Sequence, residues 1–234
     1  MAEPVALVFA GAYAVSLVVL LVWARAIPPN LRRYCYPFVA LTGLAALAQL
    51  LSGFAVGTVP LGSSTLDIPN AVEGGFVYAL LFGFAAFLGG ATRRQLAVAT
   101  AVPLVMSWSF YAAALGDGAL VVVPALIVVG GYVALCWLFV HPIWRTASRL
   151  PERRSRLFWK FRNLLLFLIG VLIFSAFTSL GAFTETVGNI IVNYIDLLLR
   201  VGFSAFLFAN IDVFRDVDSR ELAERESGRA VPTD

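Results

Sequence analysis

The chain alternates long apolar stretches with short polar ones, and seven of the apolar stretches are long enough to cross a membrane. A transmembrane helix needs roughly 20 predominantly apolar residues to cross the hydrocarbon core of a bilayer. We therefore expect an all-α integral membrane protein with a seven-transmembrane-helix domain, residues 1–211, and a charged tail, residues 212–234. The predicted spans are about 4–26, 35–57, 70–91, 96–115, 119–141, 159–182 and 188–211.

The composition excludes an ordinary soluble domain. Hydrophobic residues make up 60% of the chain and charged residues only 13%, whereas about 25% of the residues in a typical soluble domain are charged. The mean hydropathy is +0.87. The polar segments between the apolar stretches, such as GTVPLGSSTLDIPN at 57–70, are rich in turn-forming residues and are interpreted as loops.

The basic residues predict how the protein is oriented. All of the 17 basic residues except Arg200 lie in the loops that follow odd-numbered spans, at the ends of the spans that adjoin those loops, or in the tail. Basic residues concentrate on the cytoplasmic side of membrane proteins. We therefore expect a multi-pass plasma-membrane protein with its N-terminus outside and its C-terminus in the cytoplasm. The loops on the other side carry only acids, namely Glu3, Asp67, Glu73, Asp117 and Glu185.

The same distribution explains the high isoelectric point, near 9.1. In a soluble protein such a value would suggest binding to nucleic acid. Here the positive charge flanks the membrane, where it favours contact with anionic lipid headgroups. We expect membrane lipids as partners and no nucleic acid.

The residue types that usually perform catalysis or bind metals form no recognisable pattern. The cysteines Cys35 and Cys136 lie in or beside apolar segments, and the single histidine, His141, precedes a proline. No acid–base, nucleophile, metal or phosphate-loop motif accompanies them. We expect neither an enzyme nor a metal site.

The seventh span, IDLLLRVGFSAFLF at 195–208, contains two charged residues, Asp196 and Arg200. They are four residues apart and so lie on the same face of a helix. A charge at the centre of a bilayer costs about 3 kcal/mol or more, so such residues face the protein interior, pair with each other and often mark a functional site. We expect an ion pair at salt-bridge distance, and no other ionisable residue at that depth in another span. An internal structural strut is favoured over a proton or ion path.

The pattern of the seventh span resembles the microbial rhodopsins. That family has Asp, three residues, Lys, Val, Gly and Phe here, and this chain has Asp196 followed by Arg200 and then VGF. The second span, RRYCYPFVALTGLAALAQLLSGFAVGTVPL, and the segments VHPIWRTAS and FRNLLLFLI are similar to the phototaxis sensory rhodopsins. The resemblance implies a bundle of the microbial rhodopsin type. Tyr194 is similar to the tyrosine with which those sensors contact their transducer.

The chain departs from this family at the residue that would bind the chromophore. The resemblance implies retinal held as a protonated Schiff base on a lysine, but that position is Arg200. A guanidinium stays protonated and is too poor a nucleophile to condense with an aldehyde. The single lysine of the chain, Lys160, lies at the start of the sixth span. We expect no covalent retinal and no cofactor, although a bound lipid or isoprenoid remains an alternative.

The positions that surround retinal in the resembling family also differ. Aligned without gaps on the VPLG loop, the polar positions of the third span read as apolar or small residues. In the sixth span the aromatic positions likewise read as aliphatic or small ones. The former chromophore pocket is predicted to comprise Gly75, Phe76, Ala79, Ile169, Leu172, Ile173 and Ala176.

These observations leave three functions open. The favoured hypothesis is a non-photochemical protein that binds a membrane-protein partner, as a regulator of a membrane enzyme or a subunit of a membrane complex. The first alternative is non-covalent binding of an apolar ligand such as a lipid, an isoprenoid or a retinoid. A retinal-dependent photosensor or light-driven ion pump is disfavoured by the missing lysine. The resemblance also makes a homo-oligomer possible.

Overall fold

The protein folds as a bundle of membrane-crossing helices. A computed structural model describes residues 3–61, 64–115, 121–178 and 185–215. Within these ranges, seven helical segments are long and apolar enough to cross a membrane. The prediction of a seven-helix membrane protein is therefore confirmed. Of the predicted tail, only residues 212–215 lie within the described part of the chain.

The seventh span is composed of three consecutive helical segments. A π-helical turn, Leu198–Gly202, joins α8 to α9, and a 3-10 turn, Ile211–Phe214, follows. In the fifth span α6 continues α5 after a break at His141. The helices are α1 (Pro4–Ala26), α2 (Pro29–Gly53), α3 (Ile68–Leu88), α4 (Arg93–Leu115), α5 (Val122–Val140), α6 (Pro142–Ala147), α7 (Glu152–Thr178), α8 (Glu185–Leu197) and α9 (Phe203–Ala209).

Two helices begin well before the positions predicted from hydrophobicity. Helix α2 starts at Pro29, and α7 starts at Glu152 inside a basic segment. In both, an early arginine binds the C-terminal carbonyl groups of a neighbouring helix, which lack partners within that helix. Arg32 donates to the carbonyl oxygens of Ile27 and Arg25, at 2.8 and 2.7 Å. Arg154 donates to Leu88 and Phe87, at 2.9 and 3.0 Å.

The polar segment between α2 and α3 forms a short hairpin that fixes where α3 begins. Strands β1 (Thr58–Leu61) and β2 (Ser64–Asp67) pair antiparallel, with Thr58 opposite Asp67. Gly57 precedes the hairpin with φ +84°, a conformation that favours glycine. Asp67 caps α3 by accepting the backbone N–H of Asn70 at 3.2 Å. The first turns of α3 are therefore held against the end of α2.

An aromatic cluster packs α2, α7 and α9 together beside the π-helical turn. Phe203 of α9 contacts Phe161 of α7 edge to face, with ring centroids 4.0 Å apart. Phe38 of α2 stacks on Phe203 at 6.1 Å and meets Phe84 of α3 at 4.7 Å. Such aromatic pairs stabilise by about 0.5–1.5 kcal/mol beyond the burial of their area. This packing fixes α9, and with it the depth of Arg200 in the preceding turn.

Candidate functional site

Arg200 lies in the π-helical turn of the seventh span and points into the bundle. Its side chain is only 4% exposed. Its backbone carbonyl accepts a hydrogen bond from the hydroxyl of Ser204 at 2.6 Å. Single π-helical turns inside α-helices occur frequently at functional sites.

Three side chains from three helices surround the Arg200 guanidinium. Nη2 donates to Glu73 Oε2 of α3 at 2.8 Å, and Nη1 donates to the hydroxyl of Tyr13 of α1 at 2.9 Å. Nη2 also lies 3.7 Å from Asp196 Oδ2, one turn earlier in α8. The shortest ionic contact is therefore with Glu73, and the contact with Asp196 is longer.

Glu73 corrects the prediction that no other span carries an ionisable residue at this depth. The sequence placed Glu73 among the acids of an external loop, but it lies inside α3 and its side chain is only 6% exposed. The prediction was wrong because residue 73 belongs to the early turns of the third span, predicted over 70–91 and observed over Ile68–Leu88, and not to the loop before it. The signal in the sequence is the pair Gly74 and Gly75, since small residues mark close helix packing.

Asp196 receives its hydrogen bond from a tyrosine of α3. The hydroxyl of Tyr78 donates to Asp196 Oδ1 at 2.6 Å. Two carboxylates thus share one guanidinium, and when all three groups are ionised the cluster carries one excess negative charge. Among the described residues, Glu73 Oε1 and Arg200 Nε are buried without a hydrogen-bond partner. We refer to Tyr13, Glu73, Tyr78, Asp196 and Arg200 as the charged cluster.

A cavity of about 130 Å³ adjoins the charged cluster on the side of Asp196. Three of the residues predicted for the former chromophore pocket, Ile169, Leu172 and Ile173 of α7, line it. Polar atoms reach its wall from Asp196 and three side chains with hydroxyl groups. The remaining lining residues are Tyr78, Phe82, Pro103, Met106, Ser107, Phe110, Tyr111, Val128 and Val192.

The three residues of α3 that were predicted for the former chromophore pocket do not line this cavity. Phe76 points outward and is 57% exposed, so its assignment to the pocket is wrong. Gly75 faces α4, where an added Cβ would lie 3.1 Å from the ring of Trp108. Ala79 is buried, but the side chains that α3 contributes to the cavity wall are Tyr78 and Phe82. The ungapped alignment on the VPLG loop therefore did not identify the residues of α3 that line the cavity, although Gly75 and Ala79 are buried. The Ala176 side chain lies outside the described residues.

Tyr194 lies on the outer face of α8, and its side chain is 55% exposed. The preceding residue, Asn193, accepts a hydrogen bond from Gln49 of α2 at 2.6 Å and donates to the Asn189 carbonyl at 2.9 Å. Of these two neighbouring residues, Asn193 thus bonds to α2 and Tyr194 faces outward. Nowhere in the described ranges are three or more His, Cys, Asp or Glu side chains grouped as metal ligands.

Comparison with known proteins identifies the fold. No protein-family model matches the chain. Sensory rhodopsin-2 of Natronomonas pharaonis is 26% identical over 177 residues, which cover 74% of this chain and 73% of that protein.

Among solved structures, thermophilic rhodopsin from Rubrobacter xylanophilus superposes with a TM-score of 0.83 at 19% identity, covering 92% of this chain and 98% of that one. The light-driven proton pump LR (Mac) from Leptosphaeria maculans gives 0.80 at 16% identity, covering 92% and 97%. The chain has the microbial rhodopsin fold, and the predicted resemblance to that family and to a sensory rhodopsin is confirmed.

Proposed function

We propose that this protein is a non-photochemical member of a membrane complex, which binds a membrane-protein partner through the outer face of α8. The observation that carries the proposal is the position of Arg200, which replaces the lysine of the resembling family. Its guanidinium is hydrogen-bonded to Glu73 at 2.8 Å and Tyr13 at 2.9 Å.

The residues of this site do not fit a covalently bound retinal. A Schiff base requires a neutral amine that attacks the aldehyde, and a guanidinium paired with a carboxylate supplies none. The single lysine, Lys160, lies in the first half of α7 and does not line the cavity. Its ammonium lies 5.8 Å from the ring centroid of Phe206.

Tyr194 supports a partner on the outer face of α8. Tyr194 is an exposed residue of the seventh span, Thr186–Ala209, where lipid chains offer its hydroxyl no hydrogen-bond partner. Side-chain hydrogen bonds between transmembrane helices stabilise association by about 0.6 kcal/mol on average. The resemblance to transducer-contacting tyrosines points to the same face. The expected partner is a transmembrane helix with an amide or hydroxyl side chain at this depth.

Replacing Tyr194 tests this proposal. We expect Tyr194→Phe to lower recovery of the partner about threefold, as loss of one such hydrogen bond predicts. The matched control is Tyr36→Phe, because Tyr36 is also an exposed tyrosine but lies on α2. Photocrosslinking from residue 194, with residue 36 as control, identifies the partner in native membranes. Recovery of the bare protein in mild detergent, together with no crosslink from residue 194, contradicts the proposal.

A second candidate function is non-covalent binding of an apolar ligand such as a lipid, an isoprenoid or a retinoid. The cavity of about 130 Å³ between α3, α4, α5, α7 and α8 favours it. Mass spectrometry of the purified protein is expected to find a ligand in stoichiometric amount. Val128→Phe, which fills the cavity from α5, should abolish its retention, and Val133→Phe on the exposed face of the same helix should not. Absence of any stoichiometric ligand contradicts this candidate.

A further inference from the structure

The junction of the charged cluster and the cavity indicates what kind of ligand the cavity accepts. We propose that it binds a small apolar amine as its ammonium ion, with the Asp196 carboxylate as the counterion. This inference rests on the second candidate function, non-covalent ligand binding, and is independent of the partner proposed for α8.

The argument begins with the distribution of charge. Arg200 makes its 2.8 Å contact with Glu73 and lies 3.7 Å from Asp196. Asp196 Oδ1 is bonded by the neutral hydroxyl of Tyr78. Asp196 is therefore the carboxylate that lies farther from the positive charge of Arg200. An uncompensated charge in the membrane interior is costly, and a second cation next to Asp196 would remove that cost.

The excess charge is accessible only from the cavity side of the cluster. The Glu73 side chain is enclosed, whereas Asp196 is 17% exposed and forms part of the cavity wall. A cation that enters the cavity therefore meets Asp196 before any other acid of the cluster. The positive charge of Arg200 lies behind Asp196, in contact with Glu73 and Tyr13.

The remaining wall suits the hydrocarbon part of an amine. Phe82 and Phe110 are aromatic, and Ile169 and Leu172 are aliphatic. Aromatic faces attract ammonium groups by about 0.5–2 kcal/mol. The volume of about 130 Å³ accommodates about one six-membered ring or a short branched chain. Carboxylic acids are excluded by repulsion from Asp196.

Three probes of nearly equal shape separate the contribution of charge from that of apolar volume. We would titrate benzylamine, benzyl alcohol and toluene against the full-length protein in lipid nanodiscs near pH 7, and measure binding by ligand-observed NMR. Benzylamine is expected to bind at least tenfold more tightly than benzyl alcohol. Asp196→Asn should abolish this preference while toluene binding remains, which shows that the variant still forms the cavity. Val128→Phe should weaken all three.

Each other result overturns the inference in a distinct way. Equal affinity for the three probes contradicts an ammonium site but leaves an apolar cavity, and hence the second candidate function, intact. A preference for benzylamine that survives Asp196→Asn places the cation elsewhere and also refutes the inference. Binding of none of the probes to the unmodified protein refutes both the inference and the second candidate function.

Discussion

Two adjoining regions of the protein interior, the charged cluster and the cavity, differ in how they are filled. The charged cluster joins α1, α3 and α8 through contacts of 2.6–3.7 Å, and the Tyr13 and Arg200 side chains are buried. Next to it, α3, α4, α5, α7 and α8 surround a cavity of about 130 Å³. The charged groups of the cluster are thus in close contact, whereas the apolar side chains around the cavity leave space between them.

This difference shows that different physical requirements determine the packing of the charged cluster and the packing around the cavity. Buried charges must be paired within a few ångströms, because an unpaired charge costs several kcal/mol. Aliphatic side chains such as Ile169 and Leu172 have no such requirement and can leave space between them. The contacts of Arg200 with Glu73, Tyr13 and Asp196 therefore hold the charged cluster together, whatever occupies the cavity.

The largest effect is expected from removing the positive charge of the cluster. Arg200→Met leaves the Glu73 and Asp196 carboxylates buried without a cation, and should lower the free energy of unfolding by about 3–5 kcal/mol. Arg156→Met is the control, because Arg156 pairs with Glu152 on the exposed surface and should cost at most about 1 kcal/mol. The free energies of unfolding of the two variants are measured in detergent micelles. Equal effects of the two substitutions would mean that the charged cluster contributes no more than a surface pair.

Neutralising either carboxylate of the cluster should change the free energy of unfolding by a smaller amount, which differs between Glu73 and Asp196. Glu73→Gln removes the negative charge that faces Arg200 at 2.8 Å and should cost about 1.5–3 kcal/mol, as expected for a hydrogen bond to a charged group. Asp196→Asn should cost less than half as much, because the Glu73–Arg200 pair remains. The same unfolding measurement shows which of the two substitutions is more destabilising. If Asp196→Asn is the more destabilising, Asp196 is the principal partner of Arg200, as the sequence alone suggested.

The smallest effect is expected from filling the cavity. Val128→Leu adds one methylene group to the cavity wall and should stabilise the protein by about 0.8 kcal/mol. Val77→Leu is the control, because Val77 is fully buried in packed surroundings on α3 and overpacking there should cost about 1–3 kcal/mol. Destabilisation of similar size by both substitutions would show that the surroundings of Val128 are as closely packed as those of Val77.

The sequence was informative wherever one local property decides the outcome. Runs of apolar residues predicted seven spans, because length and hydropathy alone determine whether a helix can cross a bilayer. The starts of α2 and α7 were missed, because Arg32 and Arg154 bind carbonyl groups of neighbouring helices that hydropathy does not register.

Of the two ionic contacts of Arg200, only the one with Asp196 could be predicted from the sequence. The spacing of Asp196 and Arg200 places both on one helix face, so a local contact could be expected. The contact between Arg200 and Glu73 joins residues 127 positions apart. It depends on how α3, which begins directly after the hairpin, packs against the seventh span. The cavity was not predictable, because its volume is set by the packing of side chains from five helices.

Addition of all-trans retinal tests most directly the claim that Arg200 has ended Schiff-base chemistry in this fold. The account predicts that the purified protein gains no red-shifted visible band that survives washing, and that borohydride reduction leaves no retinyl group on any residue of the bundle interior. A Lys160→Arg variant controls for adventitious reaction at the single lysine. A stable red-shifted band in that variant, which has no lysine at all, would contradict the account.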